Sequence, residues 1–553
     1  MLPAPLVRLL FLTALVWGMG SLRAGFALDD LEVLQRNPVV EGQVPWVEAF
    51  RQDYWAHHPA GSAGHYRPLA SLSLRLDHHL WGLTPRGYHI TNLLLHLAVV
   101  ALAGCLLQRL SSERTPAAWL GLAVFALHPG LCDSIVWISG RTSMLSALPA
   151  LIGGLLLLRP NPAWRIVLIS ALAVAGSLLG KEDGALFALL LPMIAARAAG
   201  RRAGMGAGLG ALIAFGTYAY LRHAALGQWV PAATHSPLAE AGLMQRLRMG
   251  GSALWRVLET ALTPFRSGSP QLRPELLSRT APWLAWATQF ALATACVGGL
   301  WILARARRPL LGASLLLSSL GLLVHSQFIP SGELFGPRFL YLPLLFGTVP
   351  LHLVLQRLRT LHAGTGWLLG LLALASFPWV WNQSSTYSSR SSYWNAVLEA
   401  DPTSPQAWNA LGNAALEANR SDEARAAWVR ATELDPQYSR PWNNLGGLAL
   451  REDQLDRALE QFERATQTGP RNPAAWANLG QVKLRLSKSG EAVRAYRRAC
   501  SLSPSVAAFW RGLARAADAD GQVDLVSEAL RTALELNPQD PLTQAVGRRL
   551  GPR

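Results

Sequence analysis

Residues 402–436 read PTSPQAWNALGNAALEANRSDEARAAWVRATELDP, and residues 436–470 read PQYSRPWNNLGGLALREDQLDRALEQFERATQTGP. The second stretch repeats the first after 34 residues. Trp408, Trp442, Trp476 and Trp510 keep that spacing, as do Pro402, Pro436, Pro470, Pro504 and Pro538. The first three tryptophans are followed by Leu411-Gly412, Leu445-Gly446 and Leu479-Gly480, where a small residue lets two helices approach. Ala424, Ala458 and Ala492 recur, then Trp428, Phe462 and Tyr496, then Ala431, Ala465, Ala499 and Ala533. In the fourth copy Ala514 replaces the glycine and Val526 the alanine.

A 34-residue period with these positions is that of tetratricopeptide repeats (TPR). Upstream, SSYWNAVLEADP (391–402) places Trp394 34 residues before Trp428, which predicts a lone second helix capping the array. Four repeats and this half unit bury a continuous core. The aromatic residues are therefore core, and the groove is offered to a peptide or protein whose identity the composition does not name.

The rest of the chain is of another kind. At 553 residues it is too long for one core. Residues 1–382 carry 29 Lys+Arg and 15 Asp+Glu, whereas residues 383–553 carry 21 and 19. The basic excess thus belongs to the apolar half, where it reads as membrane topology and not as a nucleic-acid surface. Four scattered cysteines form neither a zinc motif nor a disulfide framework. Basic charge is almost all arginine, with three lysines, a composition that points to a GC-rich, bacterial genome.

About eleven apolar runs approach the length needed to cross about 30 Å of hydrocarbon. They lie near 5–26, 89–110, 117–135, 142–158, 164–180, 184–198, 206–221, 283–304, 309–326, 338–356 and 366–382. With the N-terminus in the cytoplasm, every cytoplasmic turn is basic, as at Arg109/Arg114 and Arg305/Arg307/Arg308. Fourteen of the fifteen acids of this half then face outward, with the loops 27–88 and 222–282 and the whole repeat region. The competing reading of the first run is a signal peptide cleaved near Ala24–Ala27.

Polar residues gather at the outer ends of these runs. The first run ends on Asp29 and Asp30, in FALDDLEVLQRNPVV (26–40). Arg67 lies in the following loop, and the second run opens with His89, Asn92 and His96 on one helical face. Polar groups in a membrane helix face the bundle interior or a cavity. ALHPGLCDSIVWISGRTSM (126–144) adds His128, Asp133 and Arg141; GKEDG (180–184) adds Lys181, Glu182 and Asp183; GPRFLYLP (336–343) adds Arg338 and Tyr341. Arginine pairs with phosphate oxygens bidentately and lysine neutralises them as a point charge. A nearby carboxylate can act as base on a hydroxyl or help hold a divalent cation, Mg or Mn. That set suits a lipid-linked phosphate substrate. The loop histidines His57, His58, His65, His78 and His79 match no tetrahedral zinc site.

The order of these motifs, ending in the repeats, resembles the transmembrane-and-TPR O-mannosyltransferase-like proteins of the GT-C glycosyltransferase superfamily, over essentially the whole chain. The resemblance implies an inverting transferase that takes a sugar from a polyprenyl-phosphate donor. It implies that Asp29 and Asp30 form the catalytic or acceptor-activating pair and that Arg338 meets the donor phosphate, although Phe339 stands where a tyrosine is common. Lys181, Arg141, Arg67, Tyr341, His89, Asn92, His96 and Glu182 complete the candidate substrate site.

The architecture expected is all-α: a GT-C-like membrane bundle over 1–382, a linker and capping helix over 383–403, four TPR repeats over 404–539 and a tail over 540–553. The expected setting is a bacterial inner membrane with the repeats in the periplasm. The expected partners are a polyprenyl-phosphate-linked sugar, membrane lipid and a protein or peptide in the repeat groove. The alternatives are a non-catalytic TPR scaffold for an envelope or secretion complex, an oligosaccharide ligase or polymerase, and a transporter. The ligase reading lacks acids in a late external loop, since 327–337 holds only Glu333, and a transporter would show an inverted repeat.

Overall fold

The computed structural model describes all residues except 1–2, 29, 36, 56–63, 111–116, 228, 230–240, 263–279, 306–308, 327–335, 357–364, 505, 538–540 and 551–553. Its described residues form helices and no strand. The chain folds as two units, Met1–Tyr393 and Trp394–Arg553.

The first unit is a bundle of apolar helices. In chain order it begins with α1 (Ala4–Ser21), α2 (Asp30–Gln35), α3 (Pro68–Trp81), α4 (Pro85–Leu110), α5 (Ala117–Leu127), α6 (Cys132–Ile135), α7 (Thr142–Leu157), α8 (Ala163–Gly180), α9 (Phe187–Ala199), α10 (Arg201–Leu226) and α11 (Leu243–Leu262). Helices Pro282–Ala304, Pro309–Leu323, Tyr341–Gln356 and Thr365–Thr386 follow. Among the described residues six helices have the length and apolarity to cross a membrane: Ala4–Ser21, Pro85–Leu110, Ile138–Leu157, Ala163–Gly180, Arg201–Leu226 and Pro282–Ala304. Together they make this an integral membrane protein.

Of the other runs, 366–382 lies in the 22-residue helix Thr365–Thr386, and the rest form shorter or interrupted helices. The run 117–135 breaks at His128-Pro129, because proline has no N–H to donate and fixes its own φ; a 3₁₀ turn and the four-residue α6 follow. Two further apolar helical stretches, Leu311–Leu323 and Arg338–Leu351, are shorter. Backbone that leaves the helix in such a bundle needs internal partners, and that need shapes the site described below.

Packing runs α1 against α4 and the helix Thr365–Thr386, α4 against α7, α7 against α8, and α8 against α10. The loop 27–88 is not extended chain: it holds α2, a 3₁₀ turn at Trp46–Phe50 and the amphipathic α3. The segment 222–282 contains α11, which the run-by-run reading of hydropathy passes over because its apolar residues occupy one face only. Met249, Ala253, Leu254 and Val257 are buried, and α11 packs on the helix Pro282–Ala304.

The second unit contains, among its described residues, four helix pairs: Pro405–Glu417 with Ser421–Leu434, Ser439–Arg451 with Leu455–Thr468, Pro473–Arg485 with Ser489–Leu502, and Ala507–Ala519 with Val523–Leu536. The period has a physical cause at each position. Ser404 and Asn472 cap the N-termini of their helices, accepting from the N–H of Ala407 and Ala475 at 3.3 Å. Trp408, Trp442, Trp476 and Trp510 each donate their indole N–H to the carbonyl of the proline six residues earlier, at 3.1, 3.0, 3.0 and 2.7 Å. Tryptophan and proline therefore recur together. Gly412 is required by the close approach of its partner helix: a Cβ there would overlap Trp428 Nε1. The first helix of each pair ends at Asn419, Asp453, Ser487 and Gly521, again 34 apart, all with φ between 59° and 77°. Ala514, in the glycine's place in the fourth pair, is fully buried.

Candidate functional site

Charged residues of the first unit meet around one irregular stretch, Val136–Arg141 between α6 and α7, and the first turn of α7 as far as Ser143. Asp30, the first residue of α2, is 1% exposed and reaches it directly. Its Oδ1 accepts from the Ser139 N–H at 3.2 Å and the Ser139 hydroxyl at 3.1 Å. Its Oδ2 accepts from the Ala27 N–H at 3.1 Å, while its own N–H donates to the Ala27 carbonyl at 3.0 Å. The carboxyl thus closes the turn after α1 on itself and ties it to the stretch. Burial pushes its pKa up to about 6, against the opposing pull of the Ala27 and Ser139 donors and the Arg141 charge.

Arg141 is buried completely. Its Nη1 pairs with Asp77 Oδ2 of α3 at 2.6 Å, its Nε donates to the Ile138 carbonyl at 3.2 Å, and its Nη2 to the Tyr88 carbonyl at 3.4 Å. Asp77 is 1% exposed and also accepts from the Thr91 hydroxyl of α4 at 2.7 Å. Arg141 therefore locks α3, α4 and the irregular stretch together. Lys181 lies at the other end of the stretch, donating to the Ser143 hydroxyl at 3.2 Å and pairing with Asp183 at 2.7 Å.

Arg338 stacks its guanidinium 4.8 Å from the Trp137 ring centroid and 5.8 Å from that of Phe339. Phe339 in turn lies flat on His325, 3.7 Å between centroids. Burial pushes the Asp183 pKa up, but the charges of Lys181 and His325 outweigh it and hold the carboxyl low, which places Asp183 within the electrostatic reach of His325. Asp30, Arg141, Lys181 and Arg338 are thus connected through residues 137–143.

Glu182 and Arg67 form an adjacent pair. Arg67 donates to Glu182 Oε2 from Nε at 3.1 Å and Nη2 at 2.9 Å, and His65 Nδ1 stands 3.6 Å from Oε1. Burial acts to raise the Glu182 carboxyl; Arg67 and His65 override it and hold it well below the usual range. This pair clips the N-terminus of α3 to the break between α8 and α9.

The row His89, Asn92 and His96 on α4 is fully buried. His89 Nε2 meets the Gly25 carbonyl at 3.3 Å. Asn92 donates to the carbonyls of Ile135, Trp137 and Ile138 at 3.1, 3.1 and 3.4 Å. His96 bonds the Ala126 carbonyl at 3.1 Å and the Tyr341 hydroxyl at 2.9 Å, and Trp17 donates to the same Ala126 carbonyl at 2.8 Å. These side chains satisfy carbonyls freed after α1 and where α5 and α6 break, as an apolar surrounding demands.

Of the residues singled out in the sequence, Asp29, His57, His58, Arg114, Arg307, Arg308, Glu333 and Pro538 lie outside the described residues. Asp30, Lys181, Arg141 and Arg338 come together at the irregular stretch, and Arg67 pairs with Glu182 beside it. His96 and Tyr341 pair with each other within the helix packing. The sequence reading passed over Asp77, Ser139 and Ser143, which hold Arg141, Asp30 and Lys181. A single aspartate in LRLDHHLW and serines in ISGRTS have no spacing that marks them.

Tetratricopeptide-repeat family models match residues 393–426, 443–505 and 477–541. Protein O-mannosyl-transferase Tmtc1 of Drosophila melanogaster is 33% identical over 182 residues, 32% of this chain and 21% of that protein. Protein O-mannosyl-transferase TMTC2 of Homo sapiens is 32% identical over 175 residues, 30% of this chain and 21% of that protein. Both of these relatives of the chain are named protein O-mannosyl-transferases. The chain matches about a fifth of the length of these mannosyl-transferases. Among solved structures, MamA protein is 21% identical over 27% of this chain and 82% of its own, with a TM-score of 0.24. YrrB, a TPR protein with an unusual peptide-binding site, is 17% identical over 29% and 82%, with a TM-score of 0.25. Neither likeness carries an argument about function.

No group of three or more His, Cys, Asp or Glu among the described residues could hold a metal ion. Both oxygens of Asp30 already accept hydrogen bonds. Asp29, the other half of the acidic pair expected to hold any divalent cation, lies outside the described residues.

Proposed function

We propose that the protein is an inverting membrane glycosyltransferase of the GT-C type, moving a sugar from a polyprenyl-phosphate donor to a hydroxyl of a protein or glycan. The observation that carries this reading is the convergence of Asp30, Lys181 and Arg338 on residues 137–143. The names of the relatives support a mannosyl-transferase-like chemistry.

In the proposed reaction the acceptor oxygen attacks the anomeric carbon from the face opposite the leaving phosphate. The bond from that carbon to the phosphate oxygen breaks with its electron pair, and the configuration inverts. Asp29 takes the hydroxyl proton. Asp30, whose oxygens accept from Ala27 and Ser139, anchors the start of α2. Arg338 and Lys181 neutralise the polyprenyl phosphate as it leaves, where preorganised cations are worth most. Arg141, His89, Asn92, His96, Tyr341 and the Arg67–Glu182 pair hold the surrounding backbone in place.

The reaction is assigned to the outer face of a bacterial inner membrane, with the repeats in the periplasm recruiting the acceptor. An amide row supports peptide recruitment: Asn444 donates to Asn409 and Asn413 at 3.0 and 2.8 Å, and Asn478 donates to Asn443 at 2.9 Å. Amides repeated at this spacing can read the backbone of an extended peptide.

The test is transfer by the purified full-length protein in proteoliposomes, given a panel of radiolabelled polyprenyl-phosphate sugars, the matching nucleotide sugars and a periplasmic protein extract. Label should pass to protein from one lipid-linked donor and from no nucleotide sugar. Transfer from a nucleotide sugar would refute the donor class. No transfer at all would favour the scaffold reading.

A further inference from the structure

The turn before the acidic pair is strained, and a residue about 360 positions away grips it. Leu28 has φ of 50°, in the left-handed region that a branched side chain avoids. Strain of this kind persists only where neighbours over-determine it, and it collects at functional sites. Here the neighbours are identifiable. Asp30 closes the turn from one side through its reciprocal bonds with Ala27. From the other side Arg390 donates its Nε to the Leu28 carbonyl at 2.8 Å and reaches Glu32 at 3.5 Å with Nη2.

The segment that carries Arg390 is itself fixed. The Gly25 N–H donates to the Tyr387 carbonyl at 3.0 Å, and the Tyr387 hydroxyl donates to the buried Asp133. The two backbones are so close that a Cβ on Gly25 would overlap the Ser388 carbonyl oxygen. These contacts hold residues 25–28 and the first turn of α2.

We infer that Arg390 is a positioning residue for the acidic turn: it holds the Leu28 carbonyl in its left-handed setting and ties it to Glu32 of α2. The inference rests on the proposed role of Asp29, and its consequence is catalytic geometry without contact to substrate. Misplacement of about 1 Å in such a group costs on the order of 100-fold in rate. Arg390→Ala therefore lowers kcat by about 10- to 100-fold and leaves the KM for donor within about twofold, since donor contacts are untouched. Arg390→Lys retains the charge but loses the planar donor and recovers little. Glycine enters the left-handed region freely, so Leu28→Gly added to Arg390→Ala restores part of kcat. A merely structural role would make the second substitution add to the damage.

The experiment is hydrogen exchange at residues 26–32 of the full chain in proteoliposomes, beside kcat and KM, for wild type, Arg390→Ala, Glu32→Gln and Arg390→Ala/Leu28→Gly. Glu32→Gln tests the outer edge of the grip should Arg390→Ala fold poorly. Faster exchange confined to this turn, a fall in kcat at constant KM and the partial rescue are expected. Unchanged exchange at 26–32 overturns the clamp, and faster exchange with unchanged kcat overturns its positioning role. Wild type inactive with every donor sinks the transferase reading, while the exchange comparison still decides the clamp.

Discussion

The two units of this chain both bury polar side chains, but for opposite reasons. In the repeats the buried or half-buried donors do the same job once every 34 residues: an indole N–H to a proline carbonyl, an amide to an amide. In the membrane unit each polar contact is used once. Asn92 holds three carbonyls of one turn, His96 one more, Asp77 one arginine, Asp30 one serine. Repetition averages the effect of an error, because a neighbouring repeat keeps its own bonds. A single-use contact has no substitute, so the same chemical change should cost far more in the first unit than in the second.

The largest effect is expected at Asp77. Removing one member of a buried ion pair leaves the other charged and uncompensated, a loss of about 3–5 kcal/mol. Asp77→Ala should abolish monodisperse, thermally cooperative protein in detergent. Asp77→Ala combined with Arg141→Met should restore much of it, because the stranded charge is gone.

Next comes the pH dependence of Asp30. Its carboxyl titrates near pH 6 in the folded chain and near 3.8 when unfolded. The folded state therefore holds this proton more tightly, and its stability falls as pH rises from about 4 through 6. The full loss above pH 6 is about 3 kcal/mol. Asp30→Asn should flatten that slope in the thermal midpoint measured between pH 4 and 7. An unchanged slope would place the titration on another group.

A smaller effect is expected in the repeats. Gly412→Ala forces a methyl against Trp428 and should cost about 1–3 kcal/mol. Hydrogen exchange should quicken in the first two helices of the array and stay as it was in the last two. Loss of protection throughout the unit would show that the repeats do not absorb damage locally. The smallest change should be a gain. Ser487 holds φ of 59° at a helix end where glycine suffers no penalty, so Ser487→Gly should add about 1 kcal/mol, read as slower exchange in Pro473–Arg485.

The same contrast governs what the sequence revealed. The repeat unit was legible almost to the residue, since four copies of a tryptophan, a proline and a small residue leave little freedom of interpretation. The site was legible by residue type and not by partner. Asp30, Arg141, Lys181 and Arg338 stand out as charges beside apolar runs, yet no spacing ties Arg141 to Asp77 or Lys181 to Ser143. Those pairings follow from how the helix breaks at His128 and at Gly180 fold back, a three-dimensional matter. The clamp from Arg390 was out of reach for the same reason: nothing in SSRSSYW marks an arginine that holds residue 28. Helix α11 was missed because its apolar residues lie on one face and dilute any average along the chain.

Sugar transfer by the acidic turn after α1, with Asp29 acting and Asp30 holding, is the step on which the proposed mechanism stands. It is probed most directly by comparing wild type, Asp29→Asn and Asp30→Asn, at equal amounts of folded protein, for transfer from the productive polyprenyl-phosphate sugar. Asp29→Asn should abolish transfer while keeping the wild-type thermal midpoint and the KM for donor. Asp30→Asn should lower transfer and also alter the pH dependence of stability. Undiminished transfer by Asp29→Asn would refute the mechanism and remove this turn from the chemistry.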